Sequence, residues 1–194
     1  MEFFVHSRAA SGASEPDRAL TEEHWSYMDR FAAGMIARGP TLATDRATWT
    51  GSVHIVDLPS AEAAHQFVER EPYNRAGMYE QHLVRRFNNL LGRTMWEFPG
   101  GSDDPIFMVI SQVPAQASEH VPAASSIDPP ALAPERLIVH GELLTPAEGR
   151  RVGVVTALQT PTRQAVDALL RARQPRLADR MDVQIHDWEF GGRR

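Results

Sequence analysis

Eight histidines and 25 acidic residues, with no cysteine and no lysine, define the chemistry open to this 194-residue chain. Without cysteine there can be no disulfide, thiolate metal ligand or thiol nucleophile. Without lysine no Schiff base can form. Imidazoles and carboxylates remain, and an imidazole, which changes charge near neutrality, is the natural carrier of a proton. The histidines at 6, 24, 54, 65, 82, 120, 140 and 186 show no metal-ligand spacing: no two form H-x-H or H-x-x-x-H, and HExxH is absent. GxSxG, a Walker loop and GxGxxG are also missing, so hydrolase, nucleotide and dinucleotide readings lack their mechanical parts. His24 is the best candidate base. Tyr73 can donate a hydrogen bond to a substrate, and Asp45, beside Arg46 in the loop after Gly39-Pro40, can line a cleft. Trp25, Trp49, Phe31 and Trp96 can wall an aromatic or polyketide-like ligand, although core packing explains aromatics equally well.

Those residues need elements to hold them. A β-prone run at residues 3–5 leads into a loop rich in Ser, Ala and Gly. From 21 to 37, Trp25, Met28, Phe31, Ala32, Met35 and Ile36 recur at spacings of three and four, which predicts a helix entered at Thr21 and stopped by Gly39-Pro40. Alternation over 49–56 predicts a strand. Ser60 then reads as the N-cap of a second helix with Ala63, Ala64, Phe67 and Val68 on its apolar face, ended by Pro72. A strand over 78–87 closes this half, with a further edge strand expected around Trp96 and Phe98.

Past Pro99-Gly100-Gly101-Ser102 the pattern restarts. Residues 106–113 predict a strand, the proline-rich stretch 114–134 an irregular connection where a first helix has been lost, 152–158 a strand, the residues after Pro161 a helix, and 183–190 a closing strand. The same offset separates Gly39 from Gly141 and Pro59 from Pro161. A sustained register of this kind predicts internal duplication, with modules at 1–98 and 105–194.

The composition is globular, at 42% hydrophobic and 23% charged residues. A net charge of -5 and a pI near 5.9 give no electrostatic reason to bind nucleic acid or an anionic membrane surface. The arginines are scattered rather than clustered. The opening MEFFVHSRAA has neither a basic segment nor an apolar stretch long enough for a signal peptide or a membrane span, so a cytoplasmic location is expected.

Residues 20–87 resemble the YCII (YciI-like) family at four places: the helix bearing His24, the Gly39-Pro40 turn, the Thr50-Gly51-Ser52 strand start, and Glu71-Pro72-Tyr73 followed by Ala76-Gly77. Gly141-Glu142-Leu143-Leu144, the helix after Pro161 and Trp188-Glu189-Phe190 resemble the same family in the second copy. The resemblance implies an α+β fold of two tandem ferredoxin-like modules pairing as an intramolecular dimeric α+β barrel. It also implies an active site made of a histidine on the first helix and an aspartate just before Pro-Tyr. His24 matches the histidine, and Glu71 stands where Asp is usual, one methylene longer. Gln174 occupies the acid position of the second copy, which lacks the histidine and reads as a structural half.

The resemblance therefore implies a cofactor-independent enzyme in which His24, oriented by Glu71, moves a proton in a lyase, dehydrohalogenase, isomerase or cyclase reaction. Tyr73, Asp45, Trp25 and Ser52 are the expected contacts to an apolar or aromatic small molecule, with no metal and no cofactor, and two such chains can associate further as a homodimer. The alternative is a non-catalytic module that holds a hydrophobic ligand or a partner. A heme- or oxygen-dependent monooxygenase is an expectation from fold analogy only.

Overall fold

The computed structural model describes residues 1–100, 102–114, 134–145, 149–173 and 181–192. The chain is a mixed α+β protein that divides into two compact units. The first is Met1–Phe87 together with the stretch that begins at Glu189, and the second is Asn88–Trp188.

The first unit runs β1 (Glu2–Ala9), α1 (Arg18–Asp29), β2 (Met35–Leu42), β3 (Trp49–Asp57), α2 (Ala61–Glu69), α3 (Pro72–Arg75) and β4 (Tyr79–Asn89), whose last two residues pass into the second unit. All its strand pairs are antiparallel: β1 lies between β3 and β4, and β2 pairs with the far edge of β3. In this order, fourth-first-third-second, each helix can cross one face of the sheet. Phe67 of α2 is 2% exposed. The rings of Tyr27 and Phe31 meet it at 5.8 and 4.9 Å, and the Tyr27 hydroxyl donates to the Phe67 carbonyl oxygen at 2.9 Å. Burying a ring of that size contributes about 1.5–3 kcal/mol, so Phe67 is a main point of attachment between the two helices.

Capping sets the helix starts. Ser60 Oγ accepts from the Ala63 amide at 3.1 Å, as its sequence context predicts. The first helix differs from expectation at both ends. Its cap is Asp17, whose Oδ1 accepts from the Leu20 amide at 2.8 Å, and Thr21 lies inside the helix with its hydroxyl bonded to the Asp17 carbonyl. The helix stops at Asp29, and after a 3₁₀ turn at Ala32–Gly34 the chain enters β2 at Met35, ahead of Gly39-Pro40. Met35 and Ala37 sit opposite Val56 and Ile55. The three-and-four spacing runs on past the true end of α1, but strand pairing takes Met35 and Ile36.

Gly51 is the position where glycine is required. Its φ is +148°, and a Cβ there would lie 2.1 Å from the Ser7 carbonyl oxygen of β1.

The second unit contains β5 (Ile106–Gln112), β6 (Leu137–Leu144), β7 (Arg151–Gln159), α4 (Arg163–Arg173) and β8 (Asp182–Trp188). Its strand order is again fourth-first-third-second, with β5 between β7 and β8 and β6 beyond β7. Val166 of α4 packs on Phe107, Val109, Leu137 and Leu158. The edge strand expected near Trp96 is a 3₁₀ turn, Met95–Glu97, because Glu97 Oε2 reaches back to accept from the Thr94 amide at 2.7 Å. The expected irregular connection at 114–134 falls almost entirely outside the described residues, and Gln174 lies outside them.

The registers of the two units correspond in detail. Arg38, Gly39 and Thr41 pair with His54, Val53 and Gly51, as His140, Gly141 and Leu143 pair with Thr156, Val155 and Gly153. Both β2–β3 and β6–β7 shift register at the same two places, after Met35 and Thr41 in one and after Leu137 and Leu143 in the other. Gly153 repeats the close approach of Gly51, since a Cβ there would lie 2.3 Å from the Ser111 carbonyl oxygen.

Candidate active site

His24 lies on the buried side of α1 and Glu71 is the N-cap of α3. They are 47 residues apart in sequence, yet His24 Nδ1 lies 2.6 Å from Glu71 Oε1, with the two residues 9% and 3% exposed. The second carboxylate oxygen of Glu71 accepts from the Asn74 amide at 2.9 Å. Pro72 at the first helical position presets the turn that aims both groups. The extra methylene of glutamate thus lets one oxygen cap α3 while the other reaches α1. A carboxylate only accepts, so Nδ1 carries the proton, and in the neutral ring Nε2 presents its lone pair. Nε2 has no hydrogen-bond partner among the described residues.

The plane of that imidazole is set by Tyr73, which stacks on it at 4.2 Å with 4° between the rings. The Tyr73 hydroxyl donates to Thr21 Oγ1 at 3.4 Å. Trp49 meets Tyr73 and Tyr79 edge-on and tilted, at 5.9 and 5.7 Å. Ser52 Oγ and the Tyr79 hydroxyl are 2.6 Å apart.

His24 and Tyr73 open onto a cavity of about 390 Å³ whose wall also includes Trp25, Arg38, Ser52 and His54. That is within the size range of small-molecule sites. Phe190, Gly191 and Gly192 close one side, where the Gly191 amide donates to the Arg38 carbonyl at 2.8 Å and the Arg38 guanidinium donates to the Gly192 carbonyl.

Burial shapes the titration of the surrounding groups. It pushes His54 well below the usual histidine range, and the neighbouring His24 and Arg38 push the same way. Burial raises Tyr79 well above its ordinary value, aided by Glu71 and opposed by the Ser52 hydrogen bond. Tyr73 is raised chiefly by burial too. The site therefore holds phenols and a neutral His54 around the His24–Glu71 pair. With a lone pair at Nε2 and a carboxylate behind Nδ1, it is equipped to take up and return a proton.

Residues 1–88 match the YCII-related domain family. This stretch contains all of α1, β2, β3, α2 and α3, and with them the whole His24–Glu71 arrangement. The comparison with curated proteins returned no match. Among solved structures, a candidate chlorite dismutase, TA0507, shares 11% identity over 97% of this chain and 94% of its own, with a TM-score of 0.54, and so shares the fold. The 5-chloro-2-hydroxyhydroquinone dehydrochlorinase TftG from Burkholderia phenoliruptrix AC1100, solved with 2,5-dihydroxybenzoquinone, is 28% identical over 46% of this chain and 95% of its own, with a TM-score of 0.42.

Of the residues singled out by sequence, the fold brings His24, Tyr73, Trp25 and Ser52 to the cavity wall and sets Glu71 behind His24. Asp45 is elsewhere. Its carboxylate accepts from the Ala47 and Thr48 amides at 3.0 and 2.9 Å and from the Thr48 hydroxyl at 2.6 Å, which holds the β2–β3 turn and lowers its pKa to about 2. The sequence alone assigns no role to His54, Arg38 or Tyr79. A correct start for β2 would have shown Arg38 opposite His54. Among the described residues no group of three or more His, Cys, Asp or Glu side chains could hold a metal ion, and no helix is long and apolar enough to cross a membrane.

Proposed function

We propose that this chain is a cofactor-independent enzyme acting on a small molecule, with His24 as general base and acid and Glu71 as the residue that orients it. The observation that carries the reading is the buried 2.6 Å contact between His24 Nδ1 and Glu71 Oε1, with Nε2 unpartnered beside a cavity of molecular size. In the reaction Nε2 removes a proton from the substrate, Glu71 stabilises the imidazolium, and the proton is returned at another atom or stays behind while a leaving group departs. Isomerisation and cyclisation follow the first course, lyase and dehydrohalogenase chemistry the second. Such a base contributes about 10²- to 10⁴-fold in rate. Tyr73, Trp25 and Ser52 supply the ligand wall, which suits an apolar or aromatic substrate.

We further infer that the two units are tandem copies of one ferredoxin-like module. The shared strand order, the equivalent register shifts and the paired glycines 51 and 153 support this. The second copy carries His140 and Thr156 where the first carries Arg38 and His54, which fits a structural half.

The test is untargeted mass spectrometry of a cell extract incubated with wild type, His24→Ala and Glu71→Gln. A metabolite consumed by wild type alone is the expected result. Equal consumption by all three would remove the dyad from the chemistry, and a compound that co-purifies unchanged with each would favour a binding module.

A further inference from the structure

Arg38 of β2 and His54 of β3 are direct cross-strand partners, 4% and 2% exposed, and both line the cavity beside His24. The rings of His24 and His54 lie 5.7 Å apart. His54 touches Phe67 at 5.7 Å and makes no hydrogen bond among the described residues. In the second unit the equivalent residues are His140 and Thr156, with His140 Nδ1 2.9 Å from Thr156 Oγ1. The first unit thus places a buried guanidinium and an imidazole at the cavity where the second has a histidine and a threonine.

The Arg38 guanidinium also donates to the Gly192 carbonyl oxygen, and the carboxylates around the cavity are engaged or exposed. Glu71 is committed to His24 and the Asn74 amide. Asp29 stands 3.4 Å from the Arg38 guanidinium with a third of its side chain in solvent, and Glu15, which also lines the cavity, is exposed. Burial keeps His54 neutral, so its ring adds one N–H donor without a second charge.

We propose that Arg38 and His54 form a subsite for an anionic oxygen of the substrate, a carboxylate, enolate or phenolate, on the reading that this cavity is where His24 acts. For an enolisable substrate the step balances without a co-reactant. The C–H bond breaks, its proton goes to His24 Nε2, the electron pair moves onto the carbonyl oxygen, and the new charge lies against donors already in place. A substrate that is an acid from the outset binds there by the same contacts.

The test is calorimetric titration of the full chain at pH 7.5 and low salt with benzoate and salicylate, each against its neutral amide, benzamide and salicylamide. The acids are expected to bind at least tenfold more tightly than the amides, with the preference reduced to threefold or less in Arg38→Gln and reduced in His54→Gln. Equal affinity of acid and amide for wild type, or binding of neither, overturns the subsite, as does an undiminished preference in either folded variant. If Arg38→Gln does not fold, wild type and His54→Gln still decide. The dyad is judged separately by turnover: a substrate converted equally by wild type and His24→Ala would sink the dyad and leave the subsite standing.

Discussion

Glu71→Gln removes one charge and hardly any volume, and the structure says what that change does. The carboxylate accepts on both sides, from His24 Nδ1–H at 2.6 Å and from the Asn74 amide at 2.9 Å. A carboxamide has one accepting oxygen and one donating nitrogen. If its oxygen turns to His24, the NH₂ group opposes the Asn74 N–H and the α3 cap is lost, at about 1 kcal/mol. If it turns to Asn74, the NH₂ group faces Nδ1, the imidazole proton moves to Nε2, and the base is gone. In either orientation the imidazolium formed during reaction loses its counter-charge, an interaction of about 4 kcal/mol for unit charges about 4 Å apart at an effective dielectric near 20. At about 1.36 kcal/mol per tenfold, kcat should fall about 10²- to 10³-fold. KM should change little, because Glu71 does not line the cavity. Progress curves on the metabolite identified by mass spectrometry give the rate. Long-range ¹⁵N–¹H spectra of histidine-labelled protein give the tautomer, expected as Nδ1–H in wild type. A folded Glu71→Gln with kcat within threefold of wild type and an unchanged His24 tautomer would refute this reasoning. Glu71→Asp, which keeps the charge, should lie between.

Other outcomes follow from burial. His54, His82 and His186 are all depressed mainly by desolvation, so below about pH 6.5 the unfolded chain binds their protons first and stability falls with pH, by up to about 1.4 kcal/mol per unit for each group. The melting midpoint should drop between pH 7 and 5 with a shallower slope in His54→Asn, and equal midpoints at both pH values would count against it. The chain has 3 tyrosines, at 27, 73 and 79, and Tyr27 is pushed up to about 12 while the other two are raised. Absorbance at 295 nm should therefore rise at higher pH in the folded than in the unfolded protein, with stability declining above about pH 10 as the unfolded phenols ionise. Coincident titration curves for the folded and unfolded protein would contradict the burial. Phe67→Ala should cost about 3–5 kcal/mol in denaturant unfolding, because the ring joins Tyr27 of α1, α2 and His54; a loss under about 1 kcal/mol would mean the cluster is not cooperative. Gly51→Ala should destabilise more than any exposed glycine substitution, since its Cβ meets the Ser7 carbonyl at 2.1 Å. A melting point equal to wild type would show that β1 and β3 separate there at little cost.

What could be read from the chain beforehand followed the range of the interaction. Ser60 was legible because a cap is decided within three residues, and β3 because alternation is local. The end of α1 was not. Apolar spacing continues through Met35 and Ile36, and only the distant partners Val56 and Ile55 make them strand. That overrun hid Arg38, whose place on a sheet face depends on β2 starting early. His24 and Glu71 could be named as a pair through the family resemblance, whereas the place of His54 beside His24 and opposite Arg38 exists only in three dimensions. Asp45 has the composition of a cleft acid, but a turn three residues long engages its carboxylate.

Because one carboxylate both starts α3 and holds the His24 proton in place, the site is built like a latch with a single catch. Fraying of the first turn of α3 frees Glu71 Oε2 from the Asn74 amide and loosens the backbone that aims Oε1 at His24 and stacks Tyr73 on its ring. Local opening of this short helix is therefore also an off state of the base, reached without any wider unfolding. The exchange rate of one backbone amide, that of Asn74, then reports the fraction of molecules ready to react, even before a substrate is known.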